Sequence, residues 1–309
     1  MSDVLGPAVI IANPAAGVGD GGVLQRLRAG LDAQQFDYEM IITEARGHAT
    51  QLARDAVLSK NRRYVIAVGG DGTVHEVVNG LVDAEQGAAI ADGLVLGVVS
   101  AGSGADFART FGLDRPPEKL VPHLVSETSM PVDLGRVRAT TPLGDVRAAV
   151  FANVAEAGFG GKVAGIAARL PRQLGPARYA AGIVVGWGGF RRVETTIVID
   201  TTERTERVCN VVVANGQFFG GGMHVAPRAL PNDGVFSVQL WGGSVTDVIR
   251  ASRQLRTGAH LQRPDVRSWN SSTVTIQSQR PLIVEADGER IGVTPASFDV
   301  LPAAIAVKI

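Results

Sequence analysis

Residues 69–73, Gly-Gly-Asp-Gly-Thr, place three glycines around one carboxylate, between the apolar stretch 64–68 and a helical pattern. Glycine lets the backbone turn tightly, so the N–H groups of this turn can approach a phosphate, and the helix start adds partial positive charge. Asp71 would repel a phosphate but is suited to hold Mg²⁺ or its water shell. The alternative is a simple turn in which Asp71 caps the helix; the position after a buried strand favours the phosphate site.

A second glycine-rich loop, residues 100–109, follows the next predicted strand. The carboxyl ends of adjacent parallel strands face the same crevice, so this loop is expected to lie beside the first one. Taken alone, it is as typical of an ordinary turn as of a ligand site. The first predicted strand also ends in a glycine-bearing turn, residues 13–17.

Two turns in the second half of the chain also carry carboxylates. Asp233, in the segment 227–234, either closes its own turn as an Asx-turn or binds a hard cation together with nearby carbonyl oxygens. Asp287 and Glu289 flank Gly288 between two late predicted strands. They are either parts of a β-turn or carboxylates that accept a hydroxyl proton during phosphoryl transfer.

The first 135 residues alternate strand and helix patterns. Apolar stretches occur at residues 8–13, 36–43, 64–68 and 94–99, with helical patterns at 23–31, 49–57 and 74–81. This alternation indicates an α/β domain with a doubly wound, mostly parallel sheet covered on both faces.

Beyond residue 135, strand-like segments bounded by Gly, Pro and Asn predict an antiparallel β-sandwich-like domain with helical insertions. The strands are expected at 146–156, 193–200, 207–215, 235–241, 273–277 and 282–285, and the helices at 162–170, 177–187 and 244–257. The last helix should begin with a capping box of Ser244 and Asp247 and stop at Gly258. We expect domains at 1–135 and 136–299, with residues 300–309 returning to the first domain.

The composition narrows the function classes. The 309 residues carry 30 basic and 30 acidic side chains, a balance that gives no global attraction to nucleic acid. The one cysteine, Cys209, cannot form an internal disulfide and fits a reducing cytosol. The N-terminus has no basic segment before an apolar one, and no run of about 18 apolar residues occurs. A cytoplasmic protein, peripherally associated with a membrane at most, is expected.

Residues 157–193 form a local exception, because they contain basic but no acidic side chains, with aromatic residues between them. The basic residues are Lys162, Arg169, Arg172, Arg178, Arg191 and Arg192, and the aromatic residues interleaved with them are Tyr179, Trp187 and Phe190. The segment is either a solvated basic face or an edge that meets an anionic membrane.

In their order and spacing, these motifs resemble those of the bacterial diacylglycerol kinase family, which is related to sphingosine and ceramide kinases. The resemblance rests on GGDGT (69–73), GSGADFAR (102–109), NGQFFGGGMHVAPRALPNDG (215–234), DGE (287–289) and VLPAA (300–304), and it spans nearly the whole chain. More distantly, GGDG is similar to the motif of the NAD kinase and phosphofructokinase group.

The resemblance implies ATP and Mg²⁺ as cofactors, with phosphates bound at residues 69–74. The implied nucleotide-binding residues are Asn13, Thr43, Gly69, Gly70, Asp71, Gly72, Thr73, Val74, Gly102, Ser103 and Asp106. The implied metal ligands are an acidic network of Asp71, Asp106 and Asp133, and a second site made by the Asp233 carboxylate with the carbonyls of Leu230 and Val235. Asp287 and Glu289 would hold the acceptor hydroxyl, one of them as general base, and which one stays open.

Two positions depart from the family's pattern. The family usually has GTxND where this chain has residues 102–106, so Ala105 replaces an Asn while Ser103 keeps a hydroxyl. Ala16 stands where a Ser or a similar polar residue is common. Both changes predict weaker contacts with the nucleotide rather than a different fold.

The sequence is interpreted as that of an ATP- and Mg²⁺-dependent lipid kinase acting on a diacylglycerol-like or a sphingoid- or ceramide-like hydroxyl. The alternatives are a NAD or other small-molecule kinase and a non-catalytic nucleotide- or lipid-binding regulator that keeps the fold. The expected partners are the lipid substrate and, transiently, an anionic membrane surface, without nucleic acid. The oligomeric state, including a homodimer, stays open.

Overall fold

The computed structural model describes residues 6–14, 22–101, 104–167, 170, 181–182, 185–186 and 191–309. These residues form two compact units. The first unit contains the described residues up to Asp133 together with Pro302–Ile309, and the second contains those of Leu134–Leu301. The chain therefore leaves the first unit once and comes back to it at its C-terminus.

The first unit consists of short strands that alternate with helices. Its strands are β1 (Ala8–Ala12), β2 (Tyr38–Ile42), β3 (Tyr64–Gly69), β4 (Val82–Asp83), β5 (Ala88–Ala89) and β6 (Val95–Ser100). Its helices are α1 (Val23–Ala33), α2 (His48–Leu58), α3 (Asp71–Leu81), α4 (Asp106–Thr110) and α5 (Pro117–Val125). The alternation predicted from the hydrophobic spacing is confirmed.

The four longer strands pair in parallel in the order β2–β1–β3–β6. Ala306 and Val307, near the end of the chain, add a parallel partner to β6. β1 and β3 are buried along their whole length, as expected for strands covered on both faces. Because these strands run in one direction, their carboxyl ends lie along one edge of the sheet.

Polar contacts at a close crossing hold α3 against α2. Oε2 of Glu76 accepts the backbone N–H of Ala49 at 3.2 Å, at the start of α2. Oγ1 of Thr50 donates to the backbone carbonyl of Glu76 at 2.8 Å. A Cβ on Gly80 would lie 2.4 Å from the Thr50 carbonyl oxygen, so the crossing needs glycine. These contacts fix the position of α3, whose first residues carry the glycine-rich motif.

The second unit is built mainly from antiparallel strands. They are β7 (Ser129–Thr140), β8 (Val146–Phe151), β9 (Val154–Gly158), β10 (Val193–Ile199), β11 (Thr202–Val208), β12 (Asn210–Ala214), β13 (Phe218–Phe219), β14 (Met223–His224), β15 (Phe236–Trp241), β16 (Val266–Ser271), β17 (Thr273–Ser278), β18 (Ile283–Ala286) and β19 (Glu289–Lys308). The first residues of β7 and the last of β19 belong to the first unit. Helices α6 (Phe159–Ala167) and α7 (Val245–Gln254) and a 3₁₀ helix (Ala259–Gln262) interrupt the strands.

Two sets of strands share one hydrophobic core in this unit. One set pairs in the order β16–β15–β12–β9–β18–β19, and β11, β10 and β17 form another that joins β19. The core contains Phe151, Ile197, Phe236 and Phe298, and the rings of Phe151 and Phe236 stack with centroids 5.5 Å apart. The predicted fold class, a parallel α/β domain followed by an antiparallel β-sandwich-like domain, is confirmed.

The structure differs from the predictions at the strand 146–156 and at the end of α7, and it describes only part of a third predicted element. The strand expected at 146–156 is two strands, β8 and β9, because the backbone N–H groups at the bend between them bind a carboxylate instead of a neighbouring strand. The capping box of Ser244 and Asp247 is confirmed, but α7 ends at Gln254, and Gly258 precedes the 3₁₀ helix instead. Most of the predicted helix 177–187 lies outside the described residues.

No helix in the described part of the chain combines the length and the apolar character needed to cross a bilayer.

Candidate active site

The predicted nucleotide-binding residues follow the carboxyl ends of neighbouring strands in the first unit. Asn13 comes after β1, Thr43 comes after β2, and Gly69 is the last residue of β3. Asn13 and Thr43 each donate a backbone N–H to the adjacent strand at 2.9 Å, which fixes both strand ends. Thr43 is buried, at 7% exposure. The fold therefore brings these residues to one edge of the sheet.

Residues 69–73 make the tight turn from β3 into α3. Gly70 is the N-cap residue, with an extended backbone, and Asp71 begins the eleven-residue helix. Thr73 donates its backbone N–H to the Gly70 carbonyl at 2.9 Å. A Cβ on Gly69 would lie 2.3 Å from Oγ1 of Thr73, so this position needs glycine. The first turn of α3, where N–H groups and the helix dipole favour a phosphate, thus opens at the edge of the sheet.

Asp71 connects this turn to the second glycine-rich loop. Its Oδ1 accepts the backbone N–H of Phe107 at 3.1 Å. A Cβ on Gly104 would lie 2.2 Å from Oδ2 of Asp71, so glycine leaves the room that this carboxylate occupies. The prediction that the two loops lie side by side is confirmed at these residues. Gly102 and Ser103 lie outside the described residues, as does Ala16 in the first turn.

The other two carboxylates of the predicted Mg²⁺ network have different partners. Oδ1 of Asp106, in α4, accepts a hydrogen bond from Nη1 of Arg109 at 3.1 Å. Oδ1 of Asp133 accepts the backbone N–H of Ala303 at 2.7 Å and so fastens the returning C-terminal segment. Among the described residues, no three His, Cys, Asp or Glu side chains are grouped so as to hold a metal ion. The acidic network of Asp71, Asp106 and Asp133 therefore stays a prediction.

Asp233 forms the Asx-turn that was the structural alternative at this position. Its Oδ1 accepts the backbone N–H of Val235 at 3.2 Å, and its own N–H contacts the Leu230 carbonyl oxygen at 3.3 Å. Carboxylate and carbonyl oxygens are also the ligands that Mg²⁺ prefers. The chemistry of the donor set fits a hard cation, and the turn also closes through its own hydrogen bonds.

Asp287 binds the bend between β8 and β9. Its Oδ2 accepts the backbone N–H of Ala152 at 2.8 Å, and its Oδ1 accepts those of Asn153 and Val154 at 2.9 and 3.1 Å. Asp287 and Gly288 both have positive φ, 49° and 83°, between two paired antiparallel strands. Asp-Gly with positive φ at both positions is typical of a two-residue type I′ hairpin turn. Asp287 therefore fixes the β18–β19 turn against the β8–β9 bend.

Glu289 follows this turn as the first residue of β19. It is partly exposed and pairs in register with Ala286. Asp287 and Glu289 both stay predicted to hold the acceptor hydroxyl, and Asp287 in addition accepts three backbone hydrogen bonds. The structure thus gives different positions to two carboxylates that the sequence left equivalent.

A second pair of carboxylates beside this turn was missed by the sequence analysis. Glu156 in β9 and Glu285 in β18 face each other across the antiparallel register, and they are 4% and 3% exposed. Each is the single charged residue in a short apolar strand, VAEAG and IVEA, and that was the available signal. Glutamate is almost never fully buried unless it has a specific partner.

The departure at Ala105 has a structural cost. Ala105 precedes α4 with a left-handed backbone, φ 57° and ψ 30°. For a residue with a Cβ this conformation costs about 1–2 kcal/mol, and Asn tolerates it better than Ala. The Asn of the family's usual pattern would therefore suit the backbone here, and Ala105 is strained beside the Asp71 contact.

Comparison with known proteins places this α/β unit and the β-rich unit in a family of kinases. A family model described as "Diacylglycerol kinase catalytic domain" matches residues 7–137. A second model, described as "YegS C-terminal NAD kinase beta sandwich-like domain", matches residues 153–309, about half of the chain. The chain belongs to the diacylglycerol kinase-like family of lipid kinases.

Individual relatives are similar over most of the chain. A protein of Mycobacterium tuberculosis named diacylglycerol kinase is 27% identical over 314 residues, which covers 98% of this chain and 95% of that protein. A Klebsiella pneumoniae protein named "Probable lipid kinase YegS-like" is 27% identical over 281 residues, covering 89% and 86%. The crystal structure of a diacylglycerol kinase from Bacillus anthracis matches with a TM-score of 0.69 at 20% identity, covering 98% and 96%, and shows the same fold.

Replacing Ala105 with Gly should raise the free energy of unfolding by about 0.5–1 kcal/mol, because relief of the left-handed strain exceeds the added flexibility of the unfolded chain. Urea denaturation measures the change. Ala33→Gly at the exposed end of α1 is the matched control and should lower the same free energy, because its backbone is helical. A loss of stability in both variants would contradict the strain at Ala105.

Proposed function

We propose that this protein is an ATP- and Mg²⁺-dependent lipid kinase that transfers the γ-phosphoryl group of ATP to a lipid hydroxyl. The observation that carries the proposal is the GGDGT turn at the start of α3, with its Asp71 bound to the second glycine-rich loop. Membership of the lipid kinase family supports the same activity.

In the first unit, the backbone of residues 69–73 binds the ATP phosphates, and the N-terminus of α3 adds favourable partial charge. Asn13 and Thr43 supply polar groups from neighbouring strand ends. Asp71 holds the divalent cation or one of its waters, for which a carboxylate is the suitable ligand. Mg²⁺ bound there would neutralise charge that develops during phosphoryl transfer.

In the second unit, Glu289 acts on the acceptor. The hydroxyl oxygen forms a bond to the γ-phosphorus, the bond from that phosphorus to the bridging oxygen of ADP breaks, and the hydroxyl proton goes to Glu289. Asp287 keeps the turn in place through its three backbone hydrogen bonds and is a positioning residue. Phosphoryl transfer depends mainly on positioning and electrostatics, so both roles matter for the rate.

A diacylglycerol-like acceptor is the substrate that the relatives favour. The M. tuberculosis and Bacillus subtilis relatives are named diacylglycerol kinase, whereas the K. pneumoniae relative is named only as a lipid kinase. Sphingoid bases, ceramide and NAD therefore belong beside diacylglycerol in an acceptor panel.

The wild-type protein should move labelled γ-phosphate from ATP into an organic-extractable lipid product, and Asp71→Asn should abolish the transfer. The substitution removes the charge that holds the cation while it keeps an acceptor oxygen for the Phe107 N–H. Asp55→Asn on the exposed face of α2 is the matched control and should keep wild-type turnover. Phosphate found only on NAD, or on none of the acceptors, would reject the lipid kinase; a folded Asp71→Asn protein with normal turnover would reject the metal role.

Glu289→Gln should lower the rate of phosphoryl transfer, whereas Asp287→Asn should lower the stability of the protein. The first removes the base, so the rate should fall by about 10²–10⁴ with little change in stability or in KM for ATP. The second turns one carboxylate oxygen into an NH₂ group that faces backbone N–H donors. The free energy of unfolding should therefore fall by about 1–3 kcal/mol. Kinetics and urea denaturation of both variants, with Glu203→Gln in exposed β11 as control, test the separation of roles. The assignment is wrong if Glu289→Gln keeps full rate or Asp287→Asn keeps full stability.

We further propose that the protein is cytoplasmic and meets an anionic bilayer peripherally through the basic segment 157–193. In this segment Arg191 and Arg192 are exposed, and Nη1 of Arg192 donates to the Gly242 carbonyl at 3.0 Å. Lys162 donates to the Gly186 carbonyl at 2.9 Å. The remaining members lie outside the described residues: Arg169, Arg172, Arg178, Tyr179, Trp187 and Phe190.

Vesicle co-sedimentation tests the membrane contact. The wild type should bind vesicles that contain anionic lipid, with weaker binding at high salt, because each basic group near such a surface contributes about 1 kcal/mol. Arg191→Gln with Arg192→Gln should weaken binding about thirtyfold, whereas the control pair Arg28→Gln with Arg54→Gln, exposed in the first unit, should not. If neither salt nor either pair of substitutions changes vesicle binding, the segment is a solvated basic face.

A further inference from the structure

Two carboxyl groups lie side by side in the interior of the second unit. Glu156 and Glu285 are cross-strand partners in β9 and β18, and both are nearly inaccessible to solvent. Two adjacent carboxylates that are both ionised would be strongly disfavoured at such a site. The pair is therefore expected to carry a proton.

The hydrogen bonds around the pair indicate where that proton sits. Oε1 of Glu156 accepts a hydrogen bond from Nδ2 of Asn210 at 2.6 Å, which suits an ionised carboxylate. Oε2 of Glu285 is buried and meets no donor in the part of the chain that the structure describes. A proton on Glu285 removes this defect, because the resulting O–H donates to Glu156.

The pair links the β18–β19 turn to the interior of the unit. Glu285 lies in β18 two residues before Asp287, it is the cross-strand partner of Glu156, and Glu156 accepts a hydrogen bond from Asn210 of β12. Oδ1 of Asn210 in turn accepts the backbone N–H of Gly160 at 3.1 Å, at the start of α6. A Cβ on Gly160 would lie 2.2 Å from Oε2 of Glu156, so α6 closes directly over the pair.

The surrounding charges favour the protonated form. Burial raises the pKa of Glu156 to about 7. Burial, followed by the negative charges of Glu156 and Asp287, raises the pKa of Glu285 well above its usual range. The basic residue of α6, Lys162, donates to a backbone carbonyl instead, and two arginines on neighbouring strands, Arg147 of β8 and Arg290 opposite Glu285 in β19, are exposed.

We propose that Glu156 and Glu285 form a carboxyl pair that keeps a proton at neutral pH and positions the turn that carries Glu289. The positioning role rests on the proposed function, because Glu289 needs exact placement only if it takes the proton of an acceptor hydroxyl. Glu285 acts through β18, the strand that leads into the turn, without touching the substrate, and Glu156 anchors Glu285 to β9, β12 and α6.

The pair also makes the stability of the protein depend on pH. Glutamates in the unfolded chain ionise near their ordinary pKa of about 4.3, whereas the native pair keeps its proton to higher pH. Above about pH 4.3 the native state therefore binds more protons than the unfolded state, and the free energy of unfolding falls as the pH rises. This contribution is fully present below about pH 4.3 and is lost as the pair ionises through and above neutral pH.

The first test is thermal and uses Glu285→Gln, which cannot ionise but keeps an N–H donor for Glu156. Melting temperatures of the full chain are measured from about pH 6 to about pH 9 without ATP or lipid. Relative to wild type, the variant's melting temperature should rise by at least about 2 °C over this range. Glu203→Gln, exposed in β11, should keep a constant difference from wild type.

If the difference in melting temperature between Glu285→Gln and wild type stays constant with pH, the proposal that the pair holds a proton is wrong. If this variant does not fold, Glu156→Gln removes the other carboxyl, and the same rise with pH is expected of it.

The second test measures the positioning role by turnover at about pH 7. Glu285→Ala should lower kcat about tenfold with KM for ATP unchanged, because the turn shifts while the nucleotide site does not. Glu285→Gln should restore most of this loss, since its amide can still donate to the neighbouring Glu156. Wild-type kcat in Glu285→Ala would overturn the positioning role. A wild type that transfers phosphate to no acceptor would instead reject the proposed function, and the melting temperatures would still decide whether the pair holds a proton.

Discussion

The carboxylate of Asp71 imposes the constraint on which the first unit's candidate site depends. One carboxylate binds the Phe107 N–H, takes the space that Gly104 leaves open, and begins α3. A turn in which N–H groups point at a phosphate is only useful if the loop beside it stays in place, and Asp71 supplies that restraint from within the motif. The strain at Ala105 lies in the same loop, so a small backbone cost is stored next to the proposed nucleotide site.

Hydrophobic spacing and glycine placement were enough to predict the fold class and the position of GGDGT at the end of a buried strand. They were enough because burial of apolar faces decides which segments become strands and helices. The partners of individual carboxylates could not be predicted in the same way. The three N–H groups that bind Asp287 lie more than 130 residues before it, at a bend that the sequence presented as one continuous strand. The hydrogen-bond partners of Asp106 and Asp133 could not be predicted either, because a family motif identifies residues but not their hydrogen bonds.

A common physical demand explains why so many of the predicted ligands turned out to bind backbone. Turns and bends leave N–H groups without ladder partners, and a buried N–H without an acceptor is costly. Asp71, Asp133, Asp233 and Asp287 each accept at least one such N–H. Acceptance of an N–H does not exclude a further role for the second oxygen of a carboxylate. It does separate the carboxylates that shape the loops from Glu289, which follows a loop that Asp287 has already shaped.

The buried pair extends this division of labour into the interior. Glu156 and Glu285 occupy places where apolar side chains would pack without any cost of desolvation, in strands that are otherwise apolar. The hydrogen bonds of a protonated pair are directional. They specify a single arrangement of β9, β12, β18, α6 and the turn, whereas apolar contacts tolerate small shifts. A base that must meet a hydroxyl within hydrogen-bond distance benefits from such direction. The two glutamates therefore lower the stability of this unit at alkaline pH, and in return they hold the turn in one position.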